Sequence, residues 1–334
     1  MTVDLDKGWN ALEGGEIDVA ATCLERCQRI DRKHPSVIAL AAAIADANGD
    51  VEAAIAGYRA MIEVQPDDPM PRICAARIEL RDLGEPEQAL ETVDAAFEFI
   101  DDEADLIEAI VVRAEALLAT DRPADAREAL GELSSSVIDE PEQAFELAEL
   151  ALGAGDAELA RRYIDVARKS PTLETDALHL LGRIHEATGD RAAMIAAWQQ
   201  VRERDISGPE GAEREPAVTM ADDEIERIAQ EALAELPADV REKLQRVPIL
   251  IDAAPSQELV ADGLDPRILG LFSGAEMTDD LAPEITTIHL FKRNLERISH
   301  DLDELAEEVR ITVLHETAHY FGLDDDDLEK IGLD

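Results

Sequence analysis

The stretch HETAHYFG, residues 315–322, decides how the C-terminal part of the chain is expected to fold. Residues four apart on a helix point about 40° apart, so His315 and His319 leave the same helix face. Two imidazoles in this arrangement suit a Zn²⁺ ion, and Glu316, one step round the helix, can reach a water molecule bound to that ion. Gly322 can end the helix in a left-handed turn that returns the next residues towards the metal. The stretch therefore predicts a helix that carries a zinc site.

The third metal ligand is expected among the aspartates that follow the motif. Where two histidines and a glycine precede a further ligand, that ligand falls ten residues after the first histidine, which is Asp325 in this sequence. Asp324 and Asp326 remain alternatives, because one turn moves all three together. A fourth position open to water is typical of catalytic zinc, and the glutamate of the motif would then act as general base in peptide hydrolysis. The predicted site comprises the metal ligands His315, His319 and Asp325 and the catalytic residue Glu316.

The helix that carries the motif is expected to run from Asp301 to Phe321 and to be buried. Between Val309 and Phe321 only Arg310 and Glu316 carry full charges. A helix that is apolar nearly all round lies in a protein core. Polar side chains in such a helix need partners, which a metal and its water would provide.

The residues before this helix predict a small sheet with flanking helices. Three runs rich in β-branched residues have the length of strands: 247–252, 268–274 and 285–291. Helices are predicted at 222–236, 238–244 and 294–300. An α+β domain follows, with about three strands and the motif helix packed beneath them.

The first 205 residues are expected to form helical hairpins. Six turn positions recur at intervals of 34 to 37 residues: Gly15, Gly49, Gly84, Asp121, Gly155 and Gly189. Alanine stands five residues after each of the first five, and Met194 after the last, which suits a tight turn followed by a closely packed helix. This period and punctuation resemble the tetratricopeptide repeat. The resemblance implies about six stacked hairpins in a superhelix whose concave face binds segments of other proteins.

Residues 206–220 are interpreted as an exposed linker. Gly208, Pro209, Gly211 and Pro216 fall within this segment, and large apolar side chains are few. The predicted division of the chain is helical repeats at 1–205, the linker, and a second domain at 221–334.

The composition restricts the partners and the compartment. The chain has 31 basic and 76 acidic residues and a formal charge of −45, so nucleic acid and anionic membranes are poor partners. No apolar run approaches the roughly 20 residues that span a bilayer, and the N-terminus lacks the pattern of a secretory signal. Cys23, Cys27 and Cys74 make no even disulfide framework, and the first two are expected to be core residues. Reduced thiols and a cytoplasmic protein are predicted.

Residues from about 220 to 334 resemble the small zincin-like metallopeptidases of bacteria, also called minimal or acidic zincins. The resemblance rests on the three strand segments, on VRITVLHE at 309–316 and on GLDDDDL at 322–328. It implies that zinc is bound by two histidines and one aspartate and that the motif glutamate is catalytic; in this sequence these are His315, His319, Asp325 and Glu316.

Two features depart from the usual form of that family. One is the long repeat array in front of the domain. The other is His289, on the strand before the motif. His289 could stabilise an oxyanion if its strand borders the cleft, but an ordinary strand or surface role is favoured.

The sequence thus predicts a multidomain protein in which an all-α, tetratricopeptide-like superhelix precedes a small α+β domain. The favoured function is a cytoplasmic zinc metallopeptidase whose repeats recruit a substrate or partner protein. The alternative is an interaction scaffold whose zincin-like domain binds metal without turnover. A third interpretation is a structural zinc site, which would have a closed fourth position.

Overall fold

The computed structural model describes residues 1–135, 138–207, 217–244, 247–274 and 287–321. Its contacts divide the chain into two compact units, Met1–Ser170 and Pro171–Asp334. The sixth hairpin of the predicted array therefore belongs with the C-terminal elements, whereas a functional boundary near residue 205 stays a prediction. Among the described residues, no helix is both long enough and apolar enough to cross a membrane.

In the described part of the N-terminal unit, ten α-helices pair as five hairpins. The first helices of the pairs are α1 (Thr2–Glu13), α3 (Pro35–Ala47), α5 (Met70–Arg81), α7 (Glu103–Ala119) and α9 (Pro141–Gly153). Their partners are α2 (Ile17–Ile30), α4 (Val51–Val64), α6 (Pro86–Asp94), α8 (Pro123–Gly131) and α10 (Ala157–Ala167). A 3₁₀ turn at Glu132–Ser135 follows α8. Successive first helices also pack side by side, α1 on α3, α5 on α7 and α7 on α9, as they do in a stack of hairpins.

The turns within the hairpins lie where the sequence places them. Five of the six turn residues are glycines with φ between 64° and 74°, and the sixth, Asp121, has φ 54°. Glycine adopts this left-handed conformation without steric cost. The alanines five residues later are fully buried, which lets the paired helices approach closely; they are Ala20, Ala54, Ala89, Ala126 and Ala160. The prediction of tandem helical hairpins is confirmed.

The C-terminal unit begins with the sixth hairpin, formed by α11 (Glu174–Ala187) and α12 (Arg191–Ser207). The described elements that follow are α13 (Asp222–Glu235), α14 (Ala238–Leu244), β1 (Ile249–Asp252), α15 (Gln257–Ala261), β2 (Gly270–Ser273), β3 (Thr287–Phe291), α16 (Lys292–Ile298) and α17 (Leu302–Tyr320). The strand order is β1-β3-β2, with β1 parallel and β2 antiparallel to β3. A small α+β domain with a three-stranded sheet is confirmed for the residues described.

The core of this unit lies between the sheet, α13 and α17. Ile288 and Leu290 of β3 pack with Val309 and Val313 of α17, and Ile225 of α13 joins them; all five are fully buried. Because side chains alternate along a strand, the neighbouring residues of β3 point to the opposite face of the sheet. α17 therefore lies against one face of the sheet, as the sequence predicts.

The segment interpreted as an exposed linker differs from that expectation at both ends. α12 continues to Ser207, beyond the predicted end of the repeats. Val218 and Met220 are buried in the core of the C-terminal unit, and the N–H of Met220 donates to the buried carboxylate of Glu296 at 3.0 Å. Few apolar residues are thus enough to anchor the C-terminal end of the segment. Residues 208–216, with the four predicted turn residues, lie outside the described residues.

The short helix α15 has no counterpart among the elements predicted from sequence. Its N-cap is Ser256, whose Oγ accepts a hydrogen bond from the N–H of Leu259 at 3.2 Å. A serine before a short apolar stretch is an ordinary helix-start signal. Val260 of α15 is fully buried and packs on Met194 and Trp198 of α12.

Candidate metal centre

The motif lies in the last turns of α17, which is fixed at both its start and its middle. The N-cap residue Asp301 accepts hydrogen bonds at Oδ1 from the N–H groups of Asp303 and Glu304, each at 2.9 Å. Carboxylates in the first turn also favour the positive end of the helix. Val309 and Val313 then pack one face of the helix against the sheet. This contact determines the direction in which the motif side chains leave the helix.

His315 and His319 come together on α17, as their spacing predicts. Their Nε2 atoms are 2.9 Å apart and their ring planes meet at 78°. Both residues are half-buried. Two nitrogen ligands at 2.0–2.1 Å from a tetrahedral zinc ion are about 3.3 Å apart, so a small side-chain rotation would adapt the pair to one ion. The two imidazoles therefore fit a zinc site in both donor type and spacing.

Glu316 lies on the buried side of α17, against β2. The residue is only 8% exposed, and its Oε2 accepts a hydrogen bond from the N–H of Phe272 at 2.6 Å. A Cβ atom at Gly270 would lie 2.8 Å from Cγ of Glu316 and 2.7 Å from Cγ2 of Thr312. Glycine is thus needed where β2 crosses the helix. The carboxylate is held by the strand as well as by its own helix.

The N–H group of Phe272 is available to Glu316 because β2 lies at the edge of the sheet that the described strands form. β2 pairs with β3 on one side, where Leu269 O accepts from Phe291 N–H at 2.8 Å. Alternation along an antiparallel ladder turns the N–H of Phe272 to the other side. Sequence reasoning does not identify this contact, since a backbone N–H has no side-chain signature. Gly270 is the sequence signal for it, because glycine inside a strand often marks a place where another part of the protein closely approaches the backbone.

The motif helix is less buried than its composition predicts. Ile311 and Leu314 are partly exposed, as are the two histidines, whereas Glu316 and Thr317 are buried. One side of α17 packs on the sheet and the other retains access to solvent.

The predicted third ligand lies outside the described residues, as do its alternatives and the turn glycine; these are Asp325, Asp324, Asp326 and Gly322. Within the ranges that the structure describes, no three histidine, cysteine, aspartate or glutamate side chains are grouped to hold a metal ion. The described part of the site supplies two imidazole nitrogens and the carboxylate of Glu316, and the third ligand stays a prediction.

His289 faces away from the motif. It lies between Ile288 and Leu290, which point towards α17, so its own side chain is on the opposite face of the sheet. Its Nδ1 is 2.8 Å from Oδ2 of Asp252, and its ring stacks on Phe291 with centroids 6.4 Å apart. These contacts link β1 to β3. They support the ordinary strand role and not the oxyanion role.

The cysteines behave as ordinary thiols. Cys23 and Cys27 are fully buried in the first hairpin and Cys74 is partly buried, and none of the three forms a disulfide. Burial raises the pKa of Cys27 and of Cys74. The expected core role of the first two is confirmed.

Comparisons with known proteins bear on both parts of the chain. The sequence profile of the zincin-like metallopeptidase family matches residues 244–333. A search of curated proteins found no match.

Two solved structures have a similar fold. The structure of PilW, described as a widely conserved type IV pilus biogenesis factor, aligns with a TM-score of 0.53 and 17% identity over 63% of this chain and 96% of that one. PilF of Pseudomonas aeruginosa aligns with a TM-score of 0.51 and 18% identity over 63% of this chain and 94% of that one. At such identities the similarity concerns the fold alone.

The sequence period, the left-handed turns and the buried alanines define the hairpins of the array. The motif helix against a three-stranded sheet coincides with the region that the family profile matches. The chain is thus a tetratricopeptide-like helical array fused to a zincin-like domain.

Proposed function

We propose that the C-terminal domain is a zinc-dependent peptidase whose substrate or partner is recruited by the helical array. The observation that carries the proposal is the arrangement at the end of α17. The Nε2 atoms of His315 and His319 converge to 2.9 Å, and the intervening Glu316 is held on β2 by the N–H of Phe272. A pair of nitrogen donors beside a fixed carboxylate is the arrangement that metal-assisted hydrolysis needs.

The proposed metal ligands are the two histidines and an aspartate that follows the motif. His315 and His319 would bind through Nε2, and Asp325 would be the third ligand, with Asp324 and Asp326 as alternatives. A bound zinc ion supplies a Lewis acid that polarises a peptide carbonyl and lowers the pKa of a water molecule towards neutrality.

Glu316 is proposed to move the protons of the reaction. Its carboxylate accepts a proton from the attacking water and later delivers it to the nitrogen of the departing amine. The hydrogen bond from Phe272 restricts rotation of the carboxylate, so that Glu316 does not have to be ordered again in each cycle. Burial beside β2 also reduces competition from bulk water at this group.

The helical array is proposed to bind an extended protein segment. Its first helices carry half-exposed charged side chains that are linked to one another: Nη2 of Arg81 on α5 donates to Glu115 on α7 and to Glu146 on α9, each at 2.8 Å. Exposed ion pairs of this kind contribute little to stability, so they can exchange partners when a polar segment binds. Stacked helical hairpins commonly recognise proteins in this way. The proposed compartment is the cytoplasm, where free thiols persist.

A cleavage screen with a single substitution tests the proposed reaction. Zinc-loaded full-length protein is incubated with a peptide library and compared with Glu316→Gln, which keeps the size of the side chain but removes the base. Loss of a general base typically lowers the rate by about 10²–10⁴-fold. Glu307→Gln is the matched control, since Glu307 lies on the same helix with a side chain 65% exposed.

The outcome also separates the proposal from a scaffold function. Cleavage that falls in Glu316→Gln and persists in Glu307→Gln supports the peptidase. Equal cleavage by wild type and Glu316→Gln removes Glu316 as the base. A wild-type protein that binds one zinc ion and cleaves no member of the library favours a metal-binding interaction scaffold.

A further inference from the structure

A polar cluster joins the sixth hairpin to the segment that leads into β2. Arg267 donates two hydrogen bonds to the carboxylate of Asp205 at the end of α12, at 3.0 and 3.2 Å, and one to Asp176 on α11, at 2.7 Å. Its side chain is only 14% exposed. A guanidinium that is nearly buried and engages two carboxylates is fixed in position, unlike a surface ion pair.

The neighbouring Asp265 makes a second contact with the same hairpin. Both of its carboxylate oxygens lie 2.9 Å from Nε2 of His179 on α11, and Oδ1 accepts the N–H of Arg267 at 2.8 Å. His179 in turn stacks on Trp198 of α12. The short stretch from Asp265 to Arg267 is therefore clamped to both helices of the hairpin.

The same stretch is held from the other side by α16. Nδ2 of Asn294, a residue 3% exposed, donates to the carbonyls of Pro266 and Ile268 at 2.9 and 2.6 Å. Arg297 of α16 also donates to Asp205, at 2.8 Å. Cations that converge on the last turn of α12 additionally favour the negative end of that helix. The segment has little freedom to move without breaking several of these bonds.

β2 begins immediately after this clamped segment and touches the proposed general base. Ile268 is held by Asn294, and Gly270, two residues later, lies against Glu316. Phe272 follows and donates its N–H to Oε2 of Glu316. A shift of β2 would therefore change the position of the carboxylate. The path from the sixth hairpin to Glu316 runs through one short, continuous stretch of backbone.

We propose that Arg267 is a positioning residue through which the sixth hairpin holds β2 against Glu316. The sixth hairpin is then a structural component of the reaction centre and not only a part of the recognition array. The consequence for catalysis rests on the proposed peptidase function. The physical link between Arg267 and the Phe272–Glu316 bond does not, and it can be measured in protein that lacks zinc.

The test compares Arg267→Gln with wild type in the full-length, zinc-free chain. The measured quantity is hydrogen–deuterium exchange of the Phe272 amide. Removal of the clamp is expected to accelerate this exchange by about tenfold or more, because the amide then opens locally. Arg227→Gln is the matched control: Arg227 also bridges two carboxylates, Glu224 and Glu231, but on the surface of α13.

A second, milder variant keeps the proposal testable if Arg267→Gln does not fold. Asp176→Asn removes one exposed partner of Arg267 and keeps the bonds to Asp205, so the fold is expected to persist. A folded variant at either position with faster Phe272 exchange, and no change in Arg227→Gln, supports the proposal. Wild-type exchange at Phe272 in a folded Asp176→Asn or Arg267→Gln protein overturns it.

The activity measurement is kept separate from the exchange measurement. In zinc-loaded protein, Arg267→Gln is expected to lower kcat by about tenfold while KM and bound zinc stay close to wild type, since the base is misplaced and the ligands are not. If wild type cleaves no peptide, the peptidase proposal fails and the exchange result still decides the coupling. If kcat is unchanged while exchange accelerates, the positioning role is overturned although the contact is real.

Discussion

At the scale of single residues, the contact between Gly270 and Glu316 leaves no room for a methyl group. The nearest atoms, Cγ of Glu316 and Cγ2 of Thr312, belong to α17, which the core holds in place. A larger residue must therefore displace β2, the carboxylate or both. The position of the proposed base, Glu316, therefore depends on the lack of a side chain at Gly270 as well as on the hydrogen bond from Phe272.

Gly270→Ala is expected to destabilise the C-terminal unit by about 1–3 kcal/mol through overpacking and to lower peptide cleavage. Urea denaturation followed by Trp198 fluorescence in a Trp9→Phe background measures the stability of this unit. Gly131→Ala is the control, because nothing lies within 4 Å of a Cβ atom at that position. Equal effects of the two substitutions would contradict the proposed crowding at β2.

Asp265 predicts a pH dependence of stability. Burial raises the pKa of this carboxyl, but the hydrogen bond and charge of His179 and the contacts with Arg267 outweigh burial, so that the pKa is lowered below its ordinary value of 3.8. Because the folded-state pKa is lowered, the ionised carboxylate stabilises the folded protein at pH values above the ordinary pKa of 3.8. This contribution is lost as the pH falls through the lowered folded-state pKa.

Asp265→Asn is therefore expected to lower the Tm of the C-terminal unit most at pH values above 3.8, where the carboxylate of wild-type protein is ionised. The difference from wild type should shrink as the pH falls below 4, where the wild-type carboxylate becomes protonated in its turn. Thermal melts between pH 7 and pH 3 measure this difference. A Tm difference that stays constant over the range would show that the charge of Asp265 does not stabilise the fold.

At the scale of elements, the helices, turns and strands that can be predicted from the sequence are those that local residue patterns determine. The hairpins follow from the turn residues and the alanines after them, and the three strands from β-branched runs. The helix that carries His315 and His319 follows from apolar spacing. These features need only neighbours within a few residues, so one sequence is enough to find them.

The features missed from sequence depend on contacts between distant residues. Arg267 meets Asp205 across 62 positions, and Glu316 meets Phe272 across 44. Neither pairing leaves a periodic signal. The helix α15 is a different case, because Ser256 carried a local signal that was open to detection. Composition alone predicts the linker, and composition does not show that Val218 and Met220 reach the core.

The sixth hairpin is predicted to be required for the stability of the zincin-like domain. A fragment of residues 171–334 keeps Trp198 against Val260 and Arg267 between its carboxylates, whereas a fragment of residues 218–334 loses these contacts. The shorter fragment exposes Val260, which Trp198 otherwise covers, and deprives Arg267 of both carboxylate partners, so it is expected to be the less stable of the two. Urea denaturation of the two fragments is expected to give the longer one the higher free energy of unfolding. Equal stabilities would contradict the assignment of the hairpin to this unit.

At the scale of the whole molecule, two kinds of surface are joined in one strongly acidic chain. The N-terminal hairpins form the array that is proposed to bind proteins, and the C-terminal unit carries two imidazoles and a carboxylate held on β2. A charge of −45 also attracts divalent cations without any specific site. A claim of a specific zinc centre therefore has to be separated from this general attraction.

The amount of zinc bound per chain, measured in a competing metal buffer, tests the central claim most directly. Wild-type protein is predicted to hold one zinc ion, and His315→Ala and His319→Ala are each predicted to lose it, because two remaining ligands bind zinc weakly. His300→Ala is the control, since that histidine is 86% exposed and lies before the start of α17. Wild-type protein without zinc, or a His315→Ala protein that retains its zinc ion, would contradict the account.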